Sequence, residues 1–135
     1  MKARFVLSAK LMLLAPVFLL MGCHSNTKPN DTATENHIVV LVSYTSQLNK
    51  EAETFKELSR LIKHVKNEPH FISIKLHVDP KDKSNILLYE EWDDETYYTT
   101  EHMQTNHLQN FIADSRNFLN GPPEISFWKL EKKFK

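Results

Sequence analysis

Two segments of this chain are apolar on both sides at strand spacing, so a sheet built from them carries apolar side chains on two faces. His37-Ile-Val-Val-Leu-Val-Ser-Tyr-Thr45 sets Ile38, Val40 and Val42 against Val39 and Leu41. Ile86–Trp92 repeats the pattern, with Ile86, Leu88 and Trp92 against Leu87 and Tyr89. Successive strand side chains point to opposite faces, and the helices of so short a chain cover one face only. The other face needs a partner or an apolar pocket. Each Leu, Val or Tyr that leaves water there contributes roughly 1.5–3 kcal/mol. The expectation is a homodimer through the sheet face, with any pocket in the hollow that the second copy closes.

The remaining segments complete the plan. Asn49 is expected to cap a helix over Lys50–Lys66, with Leu48, Ala52, Phe55, Leu58, Ile62 and Val65 on one face and Pro69 closing it. Phe71–Val78 alternates with Ile72, Ile74, Leu76 and Val78 on one side, and Asp79–Asn85 supplies turn residues before the next strand. Asp93 or Asp94 caps a helical segment through about Gln104. Asn106-His-Leu-Gln109 has capping-box spacing and opens a further helix that Gly121-Pro122-Pro123 ends. Glu124–Lys132 reads as the last strand, with Ile125 and Phe127 opposite Trp128 and Leu130. The order β-α-β-β-α-β predicts an α+β, ferredoxin-like fold: an antiparallel sheet with its helices on one face. The acidic run Glu90-Glu91-Trp92-Asp93-Asp94-Glu95 reads as a solvated strand end plus helix caps.

Ahead of this domain stands a leader. Lys2, Arg4 and Lys10 precede or open the eleven-residue apolar run Leu11–Met21, which as a helix reaches roughly 17 Å, well short of the ~30 Å hydrocarbon core. Residues 1–22 therefore read as an export signal. Leu19-Leu20-Met21-Gly22-Cys23 resembles the lipobox of bacterial lipoproteins, which implies that Cys23 becomes a lipidated N-terminus. The next residue is His24 rather than Asp, and by the same resemblance this implies the outer membrane, facing the periplasm. Residues 23–36 carry almost no apolar side chain and read as a tether, leaving 37–132 as the folded domain. The whole chain balances 17 basic against 17 acidic residues, so beyond the leader it is mildly acidic and lacks the basic footprint of a nucleic-acid binder. Its two glycines, Gly22 and Gly121, cannot build a phosphate-cradling loop, and its one cysteine excludes an internal disulfide framework.

Three stretches carry a family likeness: Leu88-Tyr-Glu-Glu-Trp92, Glu101-His-Met-Gln-Thr-Asn-His-Leu-Gln-Asn-Phe111, and Asn120-Gly-Pro-Pro123. An aromatic-Glu-x-Trp strand end, a His on the next helix, a second His five residues later and a Gly-Pro before the last strand resemble the antibiotic biosynthesis monooxygenase family. Glu68-Pro69 and Asp79-Pro80 match its usual hairpin entry and turn, and the likeness runs from about His37 to Leu130. One departure is that His70 stands where the family has Gly after Glu-Pro. The resemblance implies a dimeric α+β barrel. It also implies one of three activities: oxygenation of quinol-like aromatics without metal or flavin, haem degradation, or isomerisation of a small phosphorylated sugar. The haem-degrading branch has a His further along the helix, where this chain has Phe111-Ile112-Ala113, and an Asn in the first strand, which Val39–Thr45 lacks.

Cofactor-free oxygenation of a small phenol or quinol by dioxygen requires the phenol to lose a proton. At pH 7 that costs about 4 kcal/mol for a pKa near 10. The pocket then needs aromatic walls, a His as base, and donors that stabilise the anion. His102 and Trp92 are the candidate catalytic residues, and Tyr44, Tyr89, His107 and Trp128 the candidate substrate contacts. Each has a structural alternative. Trp92 serves equally as a packing anchor, His102 as a helix–sheet hydrogen bonder, His107 as a helix-junction residue, and the tyrosines as barrel filling. His102 and His107, five apart, do not form an i, i+4 metal pair, and no metal or other cofactor is expected. The competing function is a non-catalytic lipoprotein that binds a small apolar ligand or haem.

Overall fold

Which face of the sheet is covered is decided by its two central strands. The structure, a computed structural model, describes residues 37–134; the leader 1–22, Cys23 and the tether to residue 36 lie outside the described residues. The elements are β1 (Ile38–Thr45), α1 (Glu51–Val65), β2 (Phe71–Val78), β3 (Asn85–Trp92), α2 (Glu95–Thr99), a single 3₁₀ turn at His102–Gln104, α3 (Asn106–Ser115) and β4 (Glu124–Trp128). All pairings are antiparallel, in the order β2-β3-β1-β4. This is the expected ferredoxin-like plan. Among the described residues no helix is long and apolar enough to cross a membrane.

Ile38, Val40, Val42 and Tyr44 of β1 lie beside Ile86, Leu88 and Trp92 of β3, all buried under the helices. Leu58, Leu61 and Val65 of α1 and Leu108 and Phe111 of α3 close over them. Beyond α3 the chain returns across the start of α1: Gln47 N–H donates to Phe118 O at 2.8 Å, and Asn120 N–H to Thr45 O at 2.8 Å. The opposite face carries Val39, Leu41, Leu87 and Tyr89, each half-buried, with Trp128 exposed at its edge. It is less apolar than expected. Ser73 donates to Glu91 at 2.8 Å, Tyr89 donates to Glu91 at 3.1 Å, and the Lys75 ammonium sits 4.7 Å over the Tyr89 ring.

Several boundaries differ from the sequence reading, each for a local reason. Asn49 does not cap α1: it takes a left-handed φ of 65°, and Lys50 occupies the cap position without a side-chain bond. The buried stripe of α1 is Thr54, Leu58, Leu61 and Val65, while Leu48 is 85% and Phe55 49% exposed. A register shift between Phe71 and Ser73 turns Phe71 inward, edge-on to Trp92, and leaves Ile72 exposed. Asp94 does cap α2, accepting from Tyr97 N–H at 3.0 Å, but the helix breaks at Thr100 before the 3₁₀ turn. Thr105 rather than Asn106 stands at the cap of α3, and Gln109 donates to Met103 O instead of closing a box. The helix ends at Ser115, so Gly121-Pro122-Pro123 leads into β4 and does not terminate α3; β4 itself stops at Trp128.

His70 stands in the left-handed region at φ 65°, the conformation glycine adopts at least cost. Its ring bonds Asp93 at 2.7 Å, and its carbonyl accepts from Asp93 N–H at 3.0 Å. The strained backbone is thus held by an exposed hydrogen-bonded pair of modest worth. His70→Ala keeps the strain and loses the pair, whereas His70→Gly loses the pair but relieves the strain. Denaturant unfolding is expected to place His70→Gly above His70→Ala by about 1 kcal/mol; equal stabilities would contradict this account of the turn.

Candidate functional site

Pro69 ends any helical continuation from α1, and Glu68 N–H bonds back to Val65 O at 2.9 Å. This corner turns the Glu68 side chain inward, where only 5% of it is exposed. Three side chains from three successive segments converge on it. Tyr97 of α2 donates to Oε2 at 3.1 Å. Nδ1 of His102, in the 3₁₀ turn, lies 2.9 Å from Oε2 and 3.1 Å from Oε1, and Nε2 of His107, in α3, lies 2.5 Å from Oε1.

The break after α2 is what brings His102 into this position. The chain tightens into the 3₁₀ turn, Thr105 Oγ1 donates to His102 O at 2.8 Å, and the imidazole enters the core. It stacks on Tyr98 at 4.8 Å between centroids and lies 4.8 Å from the Trp92 ring. Burial lowers its pKa; the Glu68 hydrogen bond and charge oppose that, and His107 adds a smaller downward push. The neutral ring donates from Nδ1 to Glu68, which leaves Nε2 as an acceptor that bonds no other side chain among the described residues.

His102 lines a cavity of about 600 Å³ between the helices and the sheet. Its walls are mostly aliphatic and aromatic, including Leu61, Leu88, Phe111 and Ile125, with Arg116 at the rim. The polar side chains that line it include His102, Glu90, the phenols of Tyr44 and Tyr98, Ser115 and Asn120. Burial, chiefly, and the nearby Glu90 raise both phenols above the ordinary tyrosine value, so both stay protonated donors. This cavity therefore lies inside one chain under the helices, on the sheet face opposite the one where a second copy was expected to close a hollow.

The candidates from the sequence are distributed as follows. His102 and Tyr44 face the cavity. Trp92 is fully buried behind it, donating from Nε1 to Glu90 Oε2 at 3.1 Å and packing against Phe71, Tyr98 and His102. His107 reaches the Glu68 carboxyl from the far side, stacked on His64 at 5.8 Å. Tyr89 and Trp128, the latter 58% exposed, lie on the other sheet face, away from the cavity. Sequence reasoning missed Glu68, which carried no periodic signal and only a match to a hairpin entry. It also missed Glu90, although Leu88, Glu90 and Trp92 share one side of the strand and that alternation marks a carboxyl on an apolar face. No group of three His, Cys, Asp or Glu is placed to hold a metal ion among the described residues.

A helix-covered antiparallel sheet with an apolar pocket and a carboxyl-oriented imidazole defines the class. The chain belongs to the antibiotic biosynthesis monooxygenase family, whose model matches residues 37–114. Its structure is similar to that of a conserved protein from Methanosarcina mazei Go1, at a TM-score of 0.66 and 18% identity, covering 73% of this chain and 97% of that one. It is also similar to PA3566 from Pseudomonas aeruginosa, at a TM-score of 0.67 and 18% identity, covering 73% and 98%. A structure named antibiotic biosynthesis monooxygenase aligns at a TM-score of 0.64 and 17% identity, covering 70% and 99%. No curated protein matches the chain. At such identities the likeness to these structures is one of fold.

Burial pushes the Glu90 carboxyl up to about 7; donation from Trp92 holds it down, and Glu68 adds a smaller upward push. Between the ordinary value of 4.5 and about 7, the folded chain keeps a proton that the unfolded chain has released. This contribution to stability is present below the lower value and is lost as pH rises through the upper one. A shift of that size is on the order of 3 kcal/mol. Glu90→Gln is therefore expected to gain stability over wild type between pH 5 and pH 8, read by denaturant unfolding of both proteins. A difference that stays constant across that range would contradict the assignment.

Proposed function

We propose that this chain is a cofactor-independent monooxygenase acting on a small phenol or quinol, anchored as a lipoprotein through Cys23 to the outer membrane, facing the periplasm. One observation carries the reading: an apolar cavity is lined by an imidazole whose Nδ1 is fixed on a buried carboxyl. The family supports it, and so does the chemistry of the cavity wall.

A substrate hydroxyl set against His102 Nε2 gives up its proton there, and the imidazolium so formed pairs with Glu68. Glu68 thus holds the tautomer that makes Nε2 the base. The phenolate left behind faces the Tyr44 and Tyr98 hydroxyls, and hydrogen bonds to a charged group contribute about 1.5–3 kcal/mol each. Two of them offset most of the ionisation cost. The electron-rich anion then reduces dioxygen. For a phenol with a free para position, one dioxygen accepts four electrons; one oxygen atom becomes the second quinone oxygen and the other leaves as water. The apolar walls keep bulk water from the anion and from reduced oxygen.

His102→Ala is expected to lower turnover by about 10²–10⁴-fold with the fold intact, read as oxygen uptake and quinone formation over a panel of phenols and quinols. Unchanged rates in that variant would overturn the base assignment. Ligand-dependent melting shifts in wild type without any product would favour a binding lipoprotein, and a Soret band on haem titration a haem carrier.

The second sheet face supports a homodimer. Val39, Leu41 and Leu87 are only half-buried on that face in the single chain. Sedimentation is expected to give a dimer at micromolar concentration and a monomer for Leu41→Glu. A monomeric wild type would contradict the pairing. Lipid attachment predicts that Cys23→Ser releases the protein from the membrane fraction.

A further inference from the structure

Glu90 occupies a position where the strand pattern calls for an apolar side chain, and the catalytic account above does not use it. It sits between Leu88 and Trp92 on the buried face of β3, opposite Val40 of β1 and Ile74 of β2, and only 5% of it is exposed. A leucine there would continue the alternation and remove the desolvation cost of the carboxyl. Oε2 is held by Trp92 Nε1 at 3.1 Å. Oε1 bonds no protein group among the described residues, and the side chain forms part of the cavity wall. The Tyr44 and Tyr98 hydroxyls on that wall are likewise without a protein partner among the described residues, so they do not satisfy it.

The same indole fixes both polar ends of the cavity. Trp92 pins Glu90 through its N–H and packs its ring 4.8 Å from that of His102. Trp92 has no measurable exposure and is wedged among Phe71, Tyr97 and Tyr98, so the separation between the carboxyl and the imidazole is set by a rigid core. Two acceptors at a fixed spacing in an apolar chamber are complementary to a flat ligand with two donors. A ligand that leaves one of them unpaired bears the cost of a buried unsatisfied polar group.

We propose that Glu90 is a specificity-determining residue that accepts a hydrogen bond from a second ligand hydroxyl, so that the cavity selects dihydroxylated aromatic ligands over those with a single hydroxyl. The inference rests on the proposed use of this cavity and adds to it the second contact. It differs from a purely structural role, in which Glu90 serves only to satisfy the Trp92 N–H.

The test is a binding measurement that does not depend on turnover. Isothermal titration of the full chain at pH 8, where the Glu90 carboxyl has released its proton, compares 2,6-dihydroxynaphthalene with 6-methoxy-2-naphthol, which keeps the ring system but caps one hydroxyl as a methyl ether. Wild type is expected to bind the diol about tenfold more tightly. Glu90→Gln, whose one oxygen stays on the Trp92 N–H and leaves an amide NH2 toward the cavity, loses most of that preference, and Glu90→Leu loses it altogether. Equal affinities in wild type overturn the inference whether or not any variant folds, as does a preference that survives in Glu90→Leu. Failure of both ligands to bind overturns the cavity's proposed use along with it. Tight, selective binding of the diol without oxygen uptake leaves the Glu90 contact standing and removes only the oxygenase reading.

Discussion

Glu68 accepts hydrogen bonds from Tyr97, His102 and His107, and through them a single carboxyl ties α2, the 3₁₀ turn and α3 to the corner after α1. Burying a carboxyl among apolar groups is costly, and three donors at hydrogen-bond distance are what offset it. The helical layer between β3 and β4 is short and broken, with one helix of five residues and another of ten. Helices of that length are marginal by themselves. Their placement over the sheet depends on packing and on this shared acceptor, and so does the direction in which His102 presents its free nitrogen.

The cavity follows from the same economy of cover. Two short helical segments and α1 cover the sheet face without filling the space against it, and Leu61, Leu108 and Phe111 line what remains. Mostly apolar walls around a few polar side chains make an environment in which each hydrogen bond is strong and each unpaired polar atom expensive. Glu90 shows the cost most plainly: it interrupts an apolar alternation, and burial holds its proton to about 7. Local rules broken without a structural return are characteristic of functional positions.

Much of the fold was legible because strand alternation is a strong signal. Ile38, Val40 and Val42, with Ile86, Leu88 and Trp92, were placed on one face by period alone, and the β-α-β-β-α-β order followed. The failures have physical causes. Leu48, before α1, and Phe55, within it, are apolar and outward while Thr54 is buried, hydroxyl to Phe118 O at 3.2 Å, so hydropathy misassigned the stripe. The register shift at Phe71 reversed the inward positions at the start of β2, which a strict period of two cannot reveal. The glycine missing at position 70 marked a real constraint, since the backbone there is left-handed. For the site, His102 and Tyr44 were legible as residue types at suitable places. Glu68 was not, because its role arises from three partners 29 to 39 residues away in sequence. The side of the sheet that holds the pocket was equally hidden, because it depends on how far the helices fail to fill the space beneath them.

The central claim is that Glu68 fixes His102 as the tautomer with its proton on Nδ1 and its lone pair toward the cavity. Nitrogen-15 NMR of the imidazole ring near neutral pH reads this directly. The account predicts a protonated Nδ1 and an unprotonated Nε2 for His102 in the wild-type protein, with that preference lost in Glu68→Gln. A His102 ring carrying its proton on Nε2, or one whose tautomer is indifferent to Glu68, would contradict it.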